Sequence, residues 1–396
     1  MKSFALWYKI QEDEEQIKSK ESNRNKESDE NIHFDLHMNF WSESLMKGKI
    51  KNKHLVNFCN KKKRQNQIIP FLDVGIKVYG FRSINSFVFQ CPFKLKKDEI
   101  IDLSNIIIDK NNAQIIFNTD VEIETKKGYN LLKLNGKEKL LVYPVPKDDS
   151  FINNTSDDRT NIEFNLDDLH SYIKKDVESY SEIKDLYIRF RIKSATLQNK
   201  IYSDREGIDK SFQSRFSGTR ILDFKINEER NLNPEDNKKY LINGYEVASF
   251  RKIHLLMMES ASCDIKSFAL GKMYCREVEN DLWKDYCEEV IANSDEQILA
   301  YHWKFSRDML EDKELSSVSC LAKVTYSKTG VRSIIAYSII VIALGMISNM
   351  ILNIISYIMS EQSINNNNMA VYVVEIFLAI FLIALGVFLN FKEKKK

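Results

Sequence analysis

Arg189 and Arg191 alternate on one face of an apparent strand, and the run Arg215-Phe216-Ser217-Gly218-Thr219-Arg220 sets two more guanidinium groups around a small turn. Forked guanidinium donors together with turn amides are the groups that grip a phosphate. Arg189, Arg191, Arg215 and Arg220 are therefore the candidate phosphate or nucleotide set. Lys193, Lys200, Arg205 and Lys210 add positive charge between them, against Asp204, Glu206 and Asp209. No Walker pattern or glycine-rich fingerprint accompanies them, so such a site depends on the four arginines converging in space.

A second basic stretch, Met46 to Gln67, holds Lys47, Lys49, Lys51, Lys53, Lys61, Lys62, Lys63 and Arg64 with no acid. Its density suits an anionic lipid surface, with Lys61, Lys62, Lys63 and Arg64 as the candidate contacts; a solvated connector between strands has the same composition. A third group is polar within apolar surroundings. Asn349 and Asn353 share one helix face, and Glu375 falls at matching depth in a second apolar run. These three form either a seam through which several copies assemble or a clamp between two helices of one copy.

Catalytic constellations do not emerge. His33 and His37 lie two apart on one strand face but lack the Glu and the helical setting of an HExxH zinc site, so no metal site is expected. Asp157-Asp158 and Asp167-Asp168 sit among polar residues and suit turns and helix caps. The six cysteines form no CxxC pair, which fits reduced thiols. No catalytic residue and no cofactor is assigned.

The elements that must position these residues are mostly strands. His33 to Trp41 alternates Phe34, Leu36, Met38 and Phe40 with His33, Asp35, His37 and Asn39, similar alternation recurs around Leu72 to Val78, Leu131 to Leu134 and Leu140 to Val145, and further strands are expected at Leu186 to Ile192, Ile253 to Glu259 and Gln297 to Phe305. Helices are expected over Lys97 to Ile107, Asp167 to Ser181 and Glu277 to Ile291. The fold class is α+β: a β-rich region of sandwich-like or mixed sheets with a few covering helices, followed by a C-terminal two-helix transmembrane hairpin. Domains are expected at 1–146, with a disordered insertion at 11–31, and at 161–328, joined by a Pro- and Asp-rich linker at 147–160.

The hairpin is read from two apolar runs, 334–359 and 369–391, joined by 360–368 and followed by the basic tail 392–396. Each run exceeds the roughly 20 residues that a crossing helix needs. Lys323, Lys328, Arg332 and the final lysines flank the runs while the loop carries only Glu361, which places both termini in the cytoplasm of a multi-pass inner-membrane protein. Net charge is only +2, from 58 basic and 56 acidic residues, so no specific nucleic-acid partner is expected.

Three functions fit. One is a membrane-anchored sensor and effector whose hairpins self-associate to permeabilise the bilayer, in the general layout of bacterial stress or antiviral defence proteins. Another is a membrane-tethered scaffold that docks a protein partner. The remaining one is a membrane-held protein acting on nucleotides or phosphate esters.

Overall fold

The computed structural model describes residues 2–11, 32–42, 45, 69–126, 129–155, 158–175, 183–205, 217–267, 272–291, 297–307, 315–327, 331–359 and 376–386. The chain divides into two units, Met1–Asp204 with Arg220–Val324, and Arg205–Thr219 with Thr325–Lys396. Three sheets form among the described residues.

The five-stranded sheet contains β1 (Ala5–Ile10), β4 (Ile84–Cys91), β9 (Ile152–Asn154), β10 (Thr160–Asn165) and β14 (Tyr245–Val247), in the order β14-β1-β4-β10-β9. The ten-stranded sheet contains β2 (His33–Trp41), β3 (Phe71–Tyr79), β5 (Ile100–Asp102), β6 (Val121–Lys126), β7 (Tyr129–Leu134), β8 (Glu138–Val142), β11 (Asp185–Lys193), β15 (Phe250–Ser260), β17 (Lys272–Glu277) and β18 (Ile298–Ser306). Its order is β17-β18-β15-β2-β3-β11-β8-β7-β6, with β5 also paired to β11. A third sheet joins β12 (Tyr202–Arg205), β13 (Ser217–Ile226), β19 (Val318–Ser327) and β16 (Asp264–Ser267) in that order. Strands from before and after residues 147–160 thus share the two larger sheets.

The large sheet is mixed: β2 runs parallel to β15, and β8 parallel to β11, while the other pairs are antiparallel. Because successive side chains point to opposite faces, the alternation in β2, β3 and β11 sorts apolar from polar residues. Phe34, Leu36, Met38 and Phe40, with Leu72, Val74, Ile76, Val78, Leu186, Ile188, Phe190 and Ile192, are all fully buried on one face. That face packs on the five-stranded sheet through Phe34 against Phe87 and Phe89 against Phe190, ring centroids 6.4 and 5.8 Å apart. Each such ring contributes about 1.5 to 3 kcal/mol by leaving water.

The opposite face carries His37, Lys77, Tyr187, Arg189 and His254 in register. Two apolar clusters cover parts of it. Trp41 and Phe71 pack with Trp283 and Val290, from two short helices, Asn280–Trp283 and Glu288–Ile291, and with Tyr286 from the turn between them. Leu134, Leu140, Val142 and Tyr187 pack with Ile107 and Ala113, the latter from the helix Lys110–Phe117. What these clusters leave uncovered is a cleft.

Several expectations need correction. The helix expected over Lys97 to Ile107 is a short turn, then β5, then one helical turn at Ser104–Ile107. The edge of β11 recruits Ile100 to Asp102 into the sheet, and the Asp102 carboxylate accepts a 3.1 Å hydrogen bond from the Ser104 amide, which starts the helix later than the apolar spacing suggests. The helix expected over Glu277 to Ile291 is broken into the two short helices above.

The transmembrane hairpin is also overturned. Among the described residues no helix is long and apolar enough to cross a membrane. The second apolar run is described over 376–386, which is helix, and the rest of that run lies outside the described residues. The first run does form a helix, Val331–Met359, which carries the polar residues Ser348, Asn349 and Asn353. The assignment of two crossing helices, and the multi-pass inner-membrane location inferred from them, is withdrawn.

Candidate functional site

The cleft encloses about 790 Å³, within the range of small-molecule sites. Its floor and walls come from β2 (Asp35, His37), β3 (Lys77, Tyr79), β11 (Asp185, Tyr187) and β15 (Arg251, Lys252, His254), completed by Phe117, Leu134, Lys137 to Leu140 and Lys184. Burial grades these residues. Tyr187, Leu140, Leu134 and Asp185 are buried, His37, Phe117, Lys252 and His254 are partly covered, and Lys137, Lys184 and Arg251 are exposed at the rim.

Local sequence explains two of the walls. The helix Lys110–Phe117 starts at Asp109, whose carboxylate accepts from the Asn112 amide at 3.0 Å, and stops at Asn118 in the left-handed region, φ 52°. This stop delivers Phe117 to the cleft. Asn135 and Gly136, φ 50° and 66°, form the tight turn between β7 and β8 that presents Lys137 and Glu138.

Six lysine and arginine side chains line the cleft against three carboxylates. The carboxylates are already engaged. Asp35 accepts from the Tyr79 hydroxyl at 2.7 Å, and Lys77 is hydrogen-bonded to Glu138 and lies 3.1 Å from Asp185. Burial alone would lower the Lys77 ammonium, but its bond to Glu138 and the surrounding negative charge hold it above its ordinary value. Burial raises the Asp185 carboxyl, opposed by Lys77. The Arg251 guanidinium sits over the Tyr79 ring, 4.4 Å from its centroid.

Histidines form a chain across three adjacent strands. The His37 and His254 rings are 4.9 Å apart, and His254 Nδ1 lies 2.8 Å from His302 Nε2. Burial lowers all three, joined by neighbouring histidines and cations at His37 and His254 and by Arg276 and Lys304 at His302: His37 falls well below the usual value, His302 falls, and His254 drops to about 4. They are neutral near pH 7, each able to offer one donor and one acceptor.

Beside the cleft lies a buried network. Arg191 grips Asp73 with two bonds, 2.7 and 3.1 Å, and stacks on Phe71 at 3.8 Å. The Tyr286 hydroxyl donates to Asp73 at 2.7 Å and accepts from Arg189 Nε at 2.9 Å, while Arg189 Nη1 donates to Tyr187 at 3.0 Å. Arg189 Nη2 is buried with no hydrogen-bond partner. Gly75 makes the arrangement possible: a Cβ there would stand 2.3 Å from the Tyr187 hydroxyl.

Of the four arginines singled out from the sequence, Arg189 and Arg191 meet through Tyr286. Arg220 is on β13, its guanidinium 5.8 Å from the Tyr202 ring, and Arg215 lies outside the described residues. The donors of Arg189 and Arg191 go largely to protein partners, which leaves them supporting the cleft wall. Lys61, Lys62, Lys63, Arg64 and Glu375 lie outside the described residues; Asn349 and Asn353 are exposed on the helix Val331–Met359. His33 does not join His37: it faces Ser249 Oγ at 3.3 Å and Arg307 Nη2 at 2.8 Å. Among the described residues no group of three His, Cys, Asp or Glu side chains is arranged to hold a metal.

Sequence reasoning missed Lys77, Arg251, Lys252 and His254 as members of one site. Their only signal was polar positions alternating with apolar ones on strands whose pairing the sequence does not reveal.

No protein-family model matches the chain, and no curated protein matches it. Among solved structures, the chain is similar to the Fcho1 Mu homology domain of Danio rerio with bound Eps15 peptide, at 9% identity over 75% of this chain and 79% of that one, with a TM-score of 0.15. A score of that size carries no argument about fold or function.

Proposed function

We propose that the chain is a binding protein for a small anionic ligand, held in the cleft on the polar face of the ten-stranded sheet. The observation that supports this most is the mismatch of charge: six cationic side chains line the cleft, and its three carboxylates are tied to Tyr79 and Lys77. Cations lining a concave site attract an anion more strongly than the same cations on an open surface, because low-dielectric walls concentrate their field. The membrane-anchored effector and the membrane-tethered scaffold are not carried forward, and of the third reading only the phosphate-type ligand is kept, since membrane attachment in all three rested on the crossing helices corrected above.

Calorimetric titration of the full chain with inorganic tripolyphosphate tests the proposal. Binding that weakens at least tenfold in the double variant Arg251→Glu with Lys252→Glu is expected, since both side chains line the cleft and neither is buried. Equal binding by the variant, or no binding by the native chain, contradicts it.

A further inference from the structure

The cleft joins two chemistries that a bare anion does not need together. Its lining includes cations, with Lys137, Lys184 and Arg251 exposed at the rim. It also includes apolar and aromatic groups: Leu134 and Leu140 are buried, and Phe117 meets Tyr187 edge to face, ring centroids 5.1 Å apart. Tyr187 continues to His37 at 6.3 Å, and His37 to His254 at 4.9 Å. A run of flat rings therefore borders the cleft from Phe117 to His254.

A phosphate held by the rim leaves the partly exposed rings of Phe117, His37 and His254 in contact with water, whereas a flat heterocycle attached to that phosphate covers them; Tyr187, fully buried, backs them from beneath. Aromatic surfaces bind any nucleobase through its π face. Neutral imidazoles present both a donor and an acceptor, the pattern found along the edge of a base. From this juxtaposition we infer that the ligand is a nucleoside phosphate, its phosphates at Lys137, Lys184 and Arg251 and its base against Phe117 and His37. This inference rests on the anion-binding function proposed above and adds the aromatic half of the ligand to it.

Isothermal titration of the full chain with ATP, GTP, CTP, UTP, ribose 5-phosphate and inorganic tripolyphosphate separates the two. At least one nucleoside triphosphate is expected to bind about tenfold or more tightly than tripolyphosphate, because stacking of one base on an aromatic side chain is worth about that factor or more. Phe117→Leu keeps the apolar volume of the wall but loses the ring. It is expected to remove most of the nucleotide advantage while leaving tripolyphosphate affinity within twofold.

Equal affinity for tripolyphosphate and for every nucleotide overturns the inference and leaves the anion site standing. A nucleotide advantage that persists in Phe117→Leu and also in His37→Gln overturns the placement of the base. Failure of every anion to bind overturns both proposals together. Comparison of the ligands on the native chain needs no variant, so misfolding of a mutant cannot mask the outcome.

Discussion

Two residues in the centre of the sheet carry consequences out of proportion to their size. At Gly75, an added methyl would stand 2.3 Å from the buried Tyr187 hydroxyl and 3.1 Å from Arg189 Nη1. The Tyr187 ring is packed among Leu134, Leu140 and Val142 and has little room to retreat. Gly75→Ala is therefore expected to cost about 1 to 3 kcal/mol, by overpacking and by loss of the Tyr187 bond to Arg189, measurable as a lower midpoint in urea unfolding. Asp73 is fully buried and receives Arg191 and Tyr286. Asp73→Ala leaves Arg191 without its counter-charge, and destabilisation of about 3 kcal/mol or more is expected in the same assay. The sequence did point to Arg189 and Arg191 as a pair. It concealed what they hold, because Asp73 and Tyr286 lie more than a hundred residues away or on a different element, and a guanidinium that grips a phosphate looks the same in sequence as one that grips an aspartate.

Strand alternation was the most legible feature at the level of elements. The apolar and polar faces of β2, read from period-two spacing, are the faces observed, since pleating fixes side-chain direction whatever the partner strand is. Pairing was not legible. Nothing local tells β2 to lie between β3 and β15, so the row of His37, His254 and His302 could not be assembled from their positions in the chain. That row makes a pH prediction with a definite sign. The three imidazoles titrate below their ordinary value of about 6.5 in the folded chain, so the unfolded chain binds more protons as pH falls through that value. Stability is expected to be flat above about pH 7 and to decline between about pH 6.5 and 4, the lower figure being that of His254. His254→Gln is expected to flatten part of this slope in thermal unfolding scans. A slope unchanged in the variant assigns the acid sensitivity elsewhere. Conversely, an anion in the cleft favours protonation of His37 and His254, so ligand affinity is expected to rise from pH 7 to pH 5.5, accompanied by proton uptake.

For the whole molecule, alternation gave the β-rich class, but hydropathy misjudged the C-terminal region. Apolar runs report a preference for leaving water, and hydropathy treats every such run alike, whether it enters a bilayer or packs against protein. The described part of the second run is a helix of about three turns, and Phe377, Ile380 and Phe381 on it are exposed. The cleft was equally invisible to composition, because a net charge of +2 averages away six cations gathered at one place. Ligand binding there is expected to weaken several-fold between 50 and 300 mM salt, as charge screening shortens the reach of the rim lysines, while a ligand held chiefly by apolar contact would be indifferent. Hydrogen–deuterium exchange of the full chain with and without saturating ATP locates the site most directly. Slower exchange confined to the segments around residues 134–140, 184–187 and 251–254 is expected. Protection that falls elsewhere, with those three segments unchanged, contradicts the cleft as the binding site.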